Sequence, residues 1–169
     1  MKKNSLLFLV CLIILHCGYH LRGTGSSLPS HIKVMNIPMF ANRTTRFELD
    51  LKLTQRVIDE MVARGKVEIT GEMDAADAIL IGEIIVFRAT PIAFGEGATA
   101  DRYSITIMAK VILRDAVEKK VLFSNPSFVY QGEYEVPEGS DFESVESEAI
   151  NEIAEKFARS LVVAILEGF

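Results

Sequence analysis

The chain has 169 residues, 18 Lys and Arg against 23 Asp and Glu, a net charge of −5, no Trp, two Cys and three His. That length builds one domain around a single core. An acidic balance without a basic stripe or interleaved aromatics excludes nucleic acid as a partner.

Lys2 and Lys3 precede an apolar run from Leu6 to Leu15, with Cys17 two residues beyond it. A positive start and a short apolar core make an export signal. Ten helical residues reach only about 15 Å, half the hydrocarbon thickness, so the run is too short to span a membrane. A cysteine directly after such a core marks a bacterial lipoprotein: residues 1–16 are the signal peptide, and Cys17 becomes the acylated N-terminus. His16 stands where such signals usually carry Gly, Ala or Ser, and Cys11 lies inside the apolar core. Cleavage removes Lys2, Lys3 and Cys11 and no acidic residue, so the net charge moves from −5 to −7. One thiol remains, no internal disulfide can form, and multiple acylation of that thiol gives a stable anchor where one chain does not. The covalent lipid is the only cofactor expected. Residues 17–30, rich in Gly and Ser, form the lipidated N-terminus and tether, and residues 31–169 form a single domain.

Within the domain, His31–Phe40 reads as a strand closed by Pro38 and the Ala41–Thr44 turn. Phe47–Arg64 reads as a helix whose Leu51, Thr54, Val57, Ile58, Met61 and Val62 recur at three- and four-residue spacing. Gly65 sits where a left-handed residue ends a helix. Lys66–Thr70 is a short strand. Asp77–Ala89 is an almost unbroken apolar strand, of the kind covered on both faces. Tyr103–Arg114 alternates, with Tyr103, Ile105, Ile107, Ala109, Val111 and Leu113 on one face. Lys120–Val136 is a third long strand, with a bulge or edge at Asn125-Pro126 because Pro lacks a ladder N–H. Short connections at Gly95–Ala100 and Asp115–Lys119 make these three an antiparallel meander. The last helix starts at a Ser140/Glu143 capping box and carries an apolar stripe through Phe142, Val145, Ala149, Ile153, Phe157, Leu161 and Ile165.

The order is β-α-β-β-β-β-α. Two amphipathic helices each need an apolar sheet face, which predicts an α/β (α+β) two-layer sandwich with a mostly antiparallel, mixed sheet and both helices on one side.

No catalytic constellation accompanies this fold. His16, His20 and His31 lie in the signal, the tether and the first strand's edge, and no metal-ligand spacing surrounds them. Phosphate loops, nucleophile elbows and zincin helices are missing. Glu133 and Glu135 alternate on a late strand as a solvated face does. The chain therefore reads as a binding module and not an enzyme. Arg102, Ser104, Thr106, Lys110 and Arg114 form a polar, basic line on the second face of their strand, which Arg88 joins if the neighbouring strand is in register. That line is either a plain solvent face or a contact for an anionic amphiphile, with basic groups on phosphates and Met108 and Ile112 on acyl chains.

Cys17-Gly18-Tyr19-His20-Leu21-Arg22-Gly23, followed by Leu28-Pro29-Ser30-His31-Ile32-Lys33, resembles the LPS-assembly lipoprotein family (LptE). Further matches are Ile37-Pro38, Asn42-Arg43-Thr44, Ala75-Ala76-Asp77-Ala78, Gly82-Glu83, Leu113-Arg114-Asp115 and the segment Leu161–Phe169. The resemblance implies an outer-membrane lipoprotein that plugs the large LPS-assembly β-barrel (LptD) one-to-one, helps it assemble, and binds lipopolysaccharide during its insertion at the cell surface. It transfers the lipidated cysteine onto Cys17, and Gly18 in place of Asp fits outer-membrane sorting. Arg88, Arg102, Lys110 and Arg114 follow from strand alternation and not from the resemblance. Ile37–Glu83 also resembles lipoproteins of the curli-secretion pore and activators of peptidoglycan synthases, which imply a homo-oligomeric pore or a cell-wall regulator instead.

Overall fold

Pro38 splits the first extended segment into two short strands that run along the same neighbour, β1 (Val34–Asn36) and β2 (Ala41–Asn42). In the computed structural model, which describes residues 28–65, 67–95 and 100–167, there follow α1 (Leu49–Gly65), β3 (Glu68–Thr70), a 3-10 turn (Met73–Ala75), β4 (Ala78–Phe94), β5 (Ala100–Asp115), β6 (Val121–Glu135) and α2 (Phe142–Glu167). The sheet order is β3-β1-β4-β5-β6, with β2 also against β4. β1, β2 and β3 pair in parallel and the β4–β5–β6 meander is antiparallel, so the sheet is mixed as expected. Proline at 126 coincides with a shift in the β5–β6 register between Ala109 and Val111, on the edge strand.

Both helices pack on one side. Ala78, Leu80 and Ile84 of β4 and Ile105, Ile107, Ala109, Val111 and Leu113 of β5 are fully buried beneath them. From α1 come Leu49, Leu53, Val57 and Met61, and from α2 Ala154, Phe157, Leu161, Val162 and Ile165, all likewise without exposure. Phe157 meets Phe128 of β6 edge-on at 5.3 Å, and burying one such side chain contributes about 1.5–3 kcal/mol.

Four local expectations are corrected. The buried line of α1 is Leu49-Leu53-Val57-Met61, while Leu51 and Val62 are 52% and 51% exposed. Leu51 lies two residues from Leu49, about 200° round the helix, so packing against α2 selects one of two apolar lines. Gly65 is the last residue of α1 but has no left-handed φ; its lack of a side chain leaves room for Met61, whose Sδ would lie 2.8 Å from a Cβ there. Asp141, not Ser140, caps α2: its Oδ2 accepts the Ser144 N–H at 2.9 Å, while the Ser140 hydroxyl donates back to the Pro137 carbonyl. Finally, β4 is covered on one face only, since Ile81 and Ile85 stay 41% and 40% exposed.

Candidate functional site

The face of the sheet away from the helices is open. Alternation along β5 sends Arg102, Ser104, Thr106, Met108, Lys110, Ile112 and Arg114 to it. Strand register then sets their neighbours. Ile81 lies opposite Ile112, and Val86, Met108 and Val129 form a row across three strands. Arg88, Thr106 and Gln131 form the next row, and Arg114 lies between Ile79 and Val121. The open face therefore alternates apolar rows with cations. Gln131 donates to the Ser104 hydroxyl at 2.7 Å, which buries that serine although it faces outward.

The four basic residues share this face without forming one cluster. From Arg102 to Arg114 the strand runs about 40 Å at its usual rise per residue. Arg102 Nη2 is 2.9 Å from Glu135 Oε1. Lys110 lies opposite Glu83 in the β4–β5 register. Glu83 also takes Arg43 Nε at 2.8 Å. The Arg43 hydrogen bond, aided by the Lys110 charge and against some desolvation, holds the Glu83 carboxyl below its usual range. Arg88 and Arg114 are exposed and have no ion-pair partner among the described residues. Sequence reading missed Arg43, because Asn42-Arg43-Thr44 carries the signature of a turn; Asn42 does accept the Thr44 N–H, as such a turn requires. Cys17 lies outside the described residues.

At the opposite end of β5, His31 Nε2 stands 2.7 Å from Asp115 Oδ2, with Glu118 close enough that the three donor atoms lie within 4.8 Å of one another. Asp115 Oδ1 accepts the N–H groups of Val117 and Glu118 at 2.9 and 2.7 Å. Both oxygens of this buried carboxylate are thus engaged, and the group clasps the start of the domain to the β5–β6 turn. The sequence separation of 84 between His31 and Asp115 hid this pairing from the sequence. Glu133 and Glu135 line an open groove of about 830 Å³ between β6 and α2, on a solvated strand face as expected.

No curated protein matches the chain in sequence. Among solved structures, a lipoprotein of Caulobacter crescentus superposes with a TM-score of 0.54 at 13% identity, over 77% of this chain and 87% of that one. Lipoprotein B of Nitrosomonas europaea gives 0.52 at 14%, over 89% and 88%. The PelC dodecamer of Paraburkholderia phytofirmans gives 0.51 at 16%, over 86% and 94%. At these identities the likeness is one of fold. The sequence model that matches is that of LptE, described as lipopolysaccharide-assembly, over residues 32–165.

Proposed function

The chain belongs to the LptE lipopolysaccharide-assembly family, and from that premise we propose that it is an outer-membrane lipoprotein, anchored through Cys17, that binds lipopolysaccharide on its open sheet face and plugs the LPS-assembly β-barrel one-to-one. The family match over residues 32–165 carries this reading. The open face supplies a fitting chemistry: phosphates meet Arg88, Lys110 and Arg114, and acyl chains lie along Ile81, Ile112, Val86, Met108 and Val129. Polarity of the fold supports the anchor's position. His31, bound to Asp115, stands at the end of the sheet where β5 stops and β6 starts, and the β4–β5 pairing ends with Phe94 opposite Ala100 at the other end. Residues 17–27 reach at most roughly 40 Å when extended, so the domain is held close to the membrane by its clasped end.

The test is a mild-detergent pull-down of tagged protein from its own envelope, with the stoichiometry of each partner measured. A large β-barrel at equal stoichiometry supports the reading, and Cys17→Ser should then abolish acylation, membrane retention and the partner's co-purification. A homo-oligomer would favour the secretion-lipoprotein alternative, and a cell-wall synthase the regulator; either replaces the barrel reading.

A further inference from the structure

β6 is the last strand of the sheet and, among the described residues, pairs with β5 alone. From Ala109↔Phe128 to Arg102↔Glu135 the register runs unbroken, so alternate backbone N–H and C=O groups of Phe128–Glu135 face outward with no strand beside them among the described residues. Proteins usually blunt such an edge with a lysine, a proline or a bulge. Here Pro126 and the register shift lie before this stretch, and Phe128–Glu135 contains no Lys, Arg or Pro. The strand at the opposite edge, β3, is only three residues long, and the part of β4 beyond its pairing with β2 is broken by Pro91 and by register shifts at Ile84/Val86 and Pro91/Ala93.

α2 packs against the helix-facing side of β6, and Gly132 lets it approach: a Cβ there would lie 2.8 Å from Ile153. The groove between them is lined by Glu133, Glu135, Glu148 and Glu152, with Arg102 its one cation among the described residues. Arg102 is taken by Glu135 at 2.9 Å and Glu152 by Lys156 at 2.6 Å. Glu133 and Glu148 are left as exposed carboxylates without a cation among the described residues. Tyr134, only 9% exposed, lines the same groove, and its buried hydroxyl has no hydrogen-bond partner there.

We propose that the Phe128–Glu135 edge receives an extended basic segment of a partner protein, added as a strand beside β6 with Lys or Arg set against Glu133 and Glu148. Main-chain pairing supplies affinity in this mode and alternate side chains supply selectivity. A second copy of this chain is the wrong occupant, because β6 against β6 sets two runs of Glu133 and Glu135 side by side, and like charges across strands repel. The edge adjoins the open face, since Glu133 and Glu135 share rows with Ser104 and Arg102, but strand addition there does not require a lipid on that face.

The experiment uses the full chain in detergent and a short fluorescein-labelled peptide that alternates Lys with Val and Thr. Two N-methylated forms are compared, each blocking the backbone nitrogens of one parity. Strand addition uses one parity only, so one form should lose binding and the other keep it. Glu133→Gln with Glu148→Gln should weaken binding roughly tenfold, the effect of two partly exposed charge pairs, without shifting the thermal midpoint. Equal binding of both methylated forms, equal binding of a peptide with Glu in place of Lys, an unchanged Gln variant, or no binding of the unmethylated peptide would each overturn the proposal. The parity comparison needs no variant and stands even if a substituted protein misfolds.

Discussion

The ring of Phe40 fills the space in front of the Gly82 α-carbon: a Cβ at position 82 would sit 2.5 Å from three of its ring atoms. Phe40 is 1% exposed and directly precedes β2, while Gly82 lies on the helix-facing side of β4. The absent side chain thus lets β2 close on its strand. Gly82→Ala should destabilise the protein by about 1–3 kcal/mol through overpacking, read as a lower urea midpoint at unchanged slope. Phe40→Leu in the same chain should recover part of that loss, because the two residues share one volume. Independent, additive effects would show that the ring yields freely.

Thr54 holds the same corner from the helix side. Its hydroxyl oxygen accepts the Phe40 N–H at 2.9 Å in a buried setting. Thr54→Val keeps the shape but leaves that N–H without an acceptor, which costs about 1–3 kcal/mol. Thr54→Ser should cost less than Thr54→Val. If Val equals wild type in chemical unfolding, the amide has found another acceptor.

Some of this architecture was legible in the sequence because it follows from local periodicity. Ile105, Ile107, Ala109, Val111 and Leu113 alternate without exception, and all five are buried. The α2 stripe was as clear from Ala149 to Ile165. The phase of α1 was not, since Leu49 and Leu51 begin two competing lines and only the docking of α2 chooses between them. β4 misled in another way: its continuous apolar run reads as doubly covered, yet the register shift between Ile84 and Val86 and the open sheet leave Ile85 at the surface. The expected cap at Ser140 fell one residue short of Asp141 because both side chains can cap. Contacts between distant residues, such as His31 with Asp115 or Arg43 with Glu83, leave no local pattern to read.

Two aspartates pin the start of the domain and give it a pH dependence of definite sign. Asp77 Oδ2 accepts the N–H groups of Lys33 and Val34 at 2.8 and 2.9 Å. These bonds, the Lys33 one foremost, hold its carboxyl below the ordinary 3.8. For Asp115 burial pushes upward, but the Glu118 N–H, the His31 ring and the Val117 N–H outweigh it, so that carboxyl also lies below 3.8. A carboxyl depressed on folding contributes stability above its unfolded value and loses it as pH falls through the folded one. Stability should therefore drop below 3.8 as these groups protonate, with Glu83 and Asp141 acting in the same direction. Asp77→Ala should be less stable at neutral pH and show a shallower acid decline in urea titrations. A profile parallel to wild type would assign the acid sensitivity to other groups.

On the open face the four basic residues differ in what already holds them. Arg102 is paired with Glu135, and Lys110 faces Glu83, itself bound by Arg43. Arg88 has no such partner among the described residues and stands one row from Val86, Met108 and Val129. An anionic amphiphile gains most from a cation that need not release a carboxylate first and that lies beside an apolar row. Arg88→Glu should therefore weaken binding of labelled lipopolysaccharide strongly, roughly tenfold or more for a lost charge-assisted contact. Arg102→Glu should cost less in binding, and Met108→Asp should reduce it by breaking the apolar row without touching a cation. Fluorescence anisotropy on the full chain in detergent reads all three. Equal losses at Arg88 and Arg102 would mean attraction by diffuse charge, with no seat on the face. No loss at Arg88 or Met108 would make the face a plain solvent surface and move the lipid contact elsewhere on the chain.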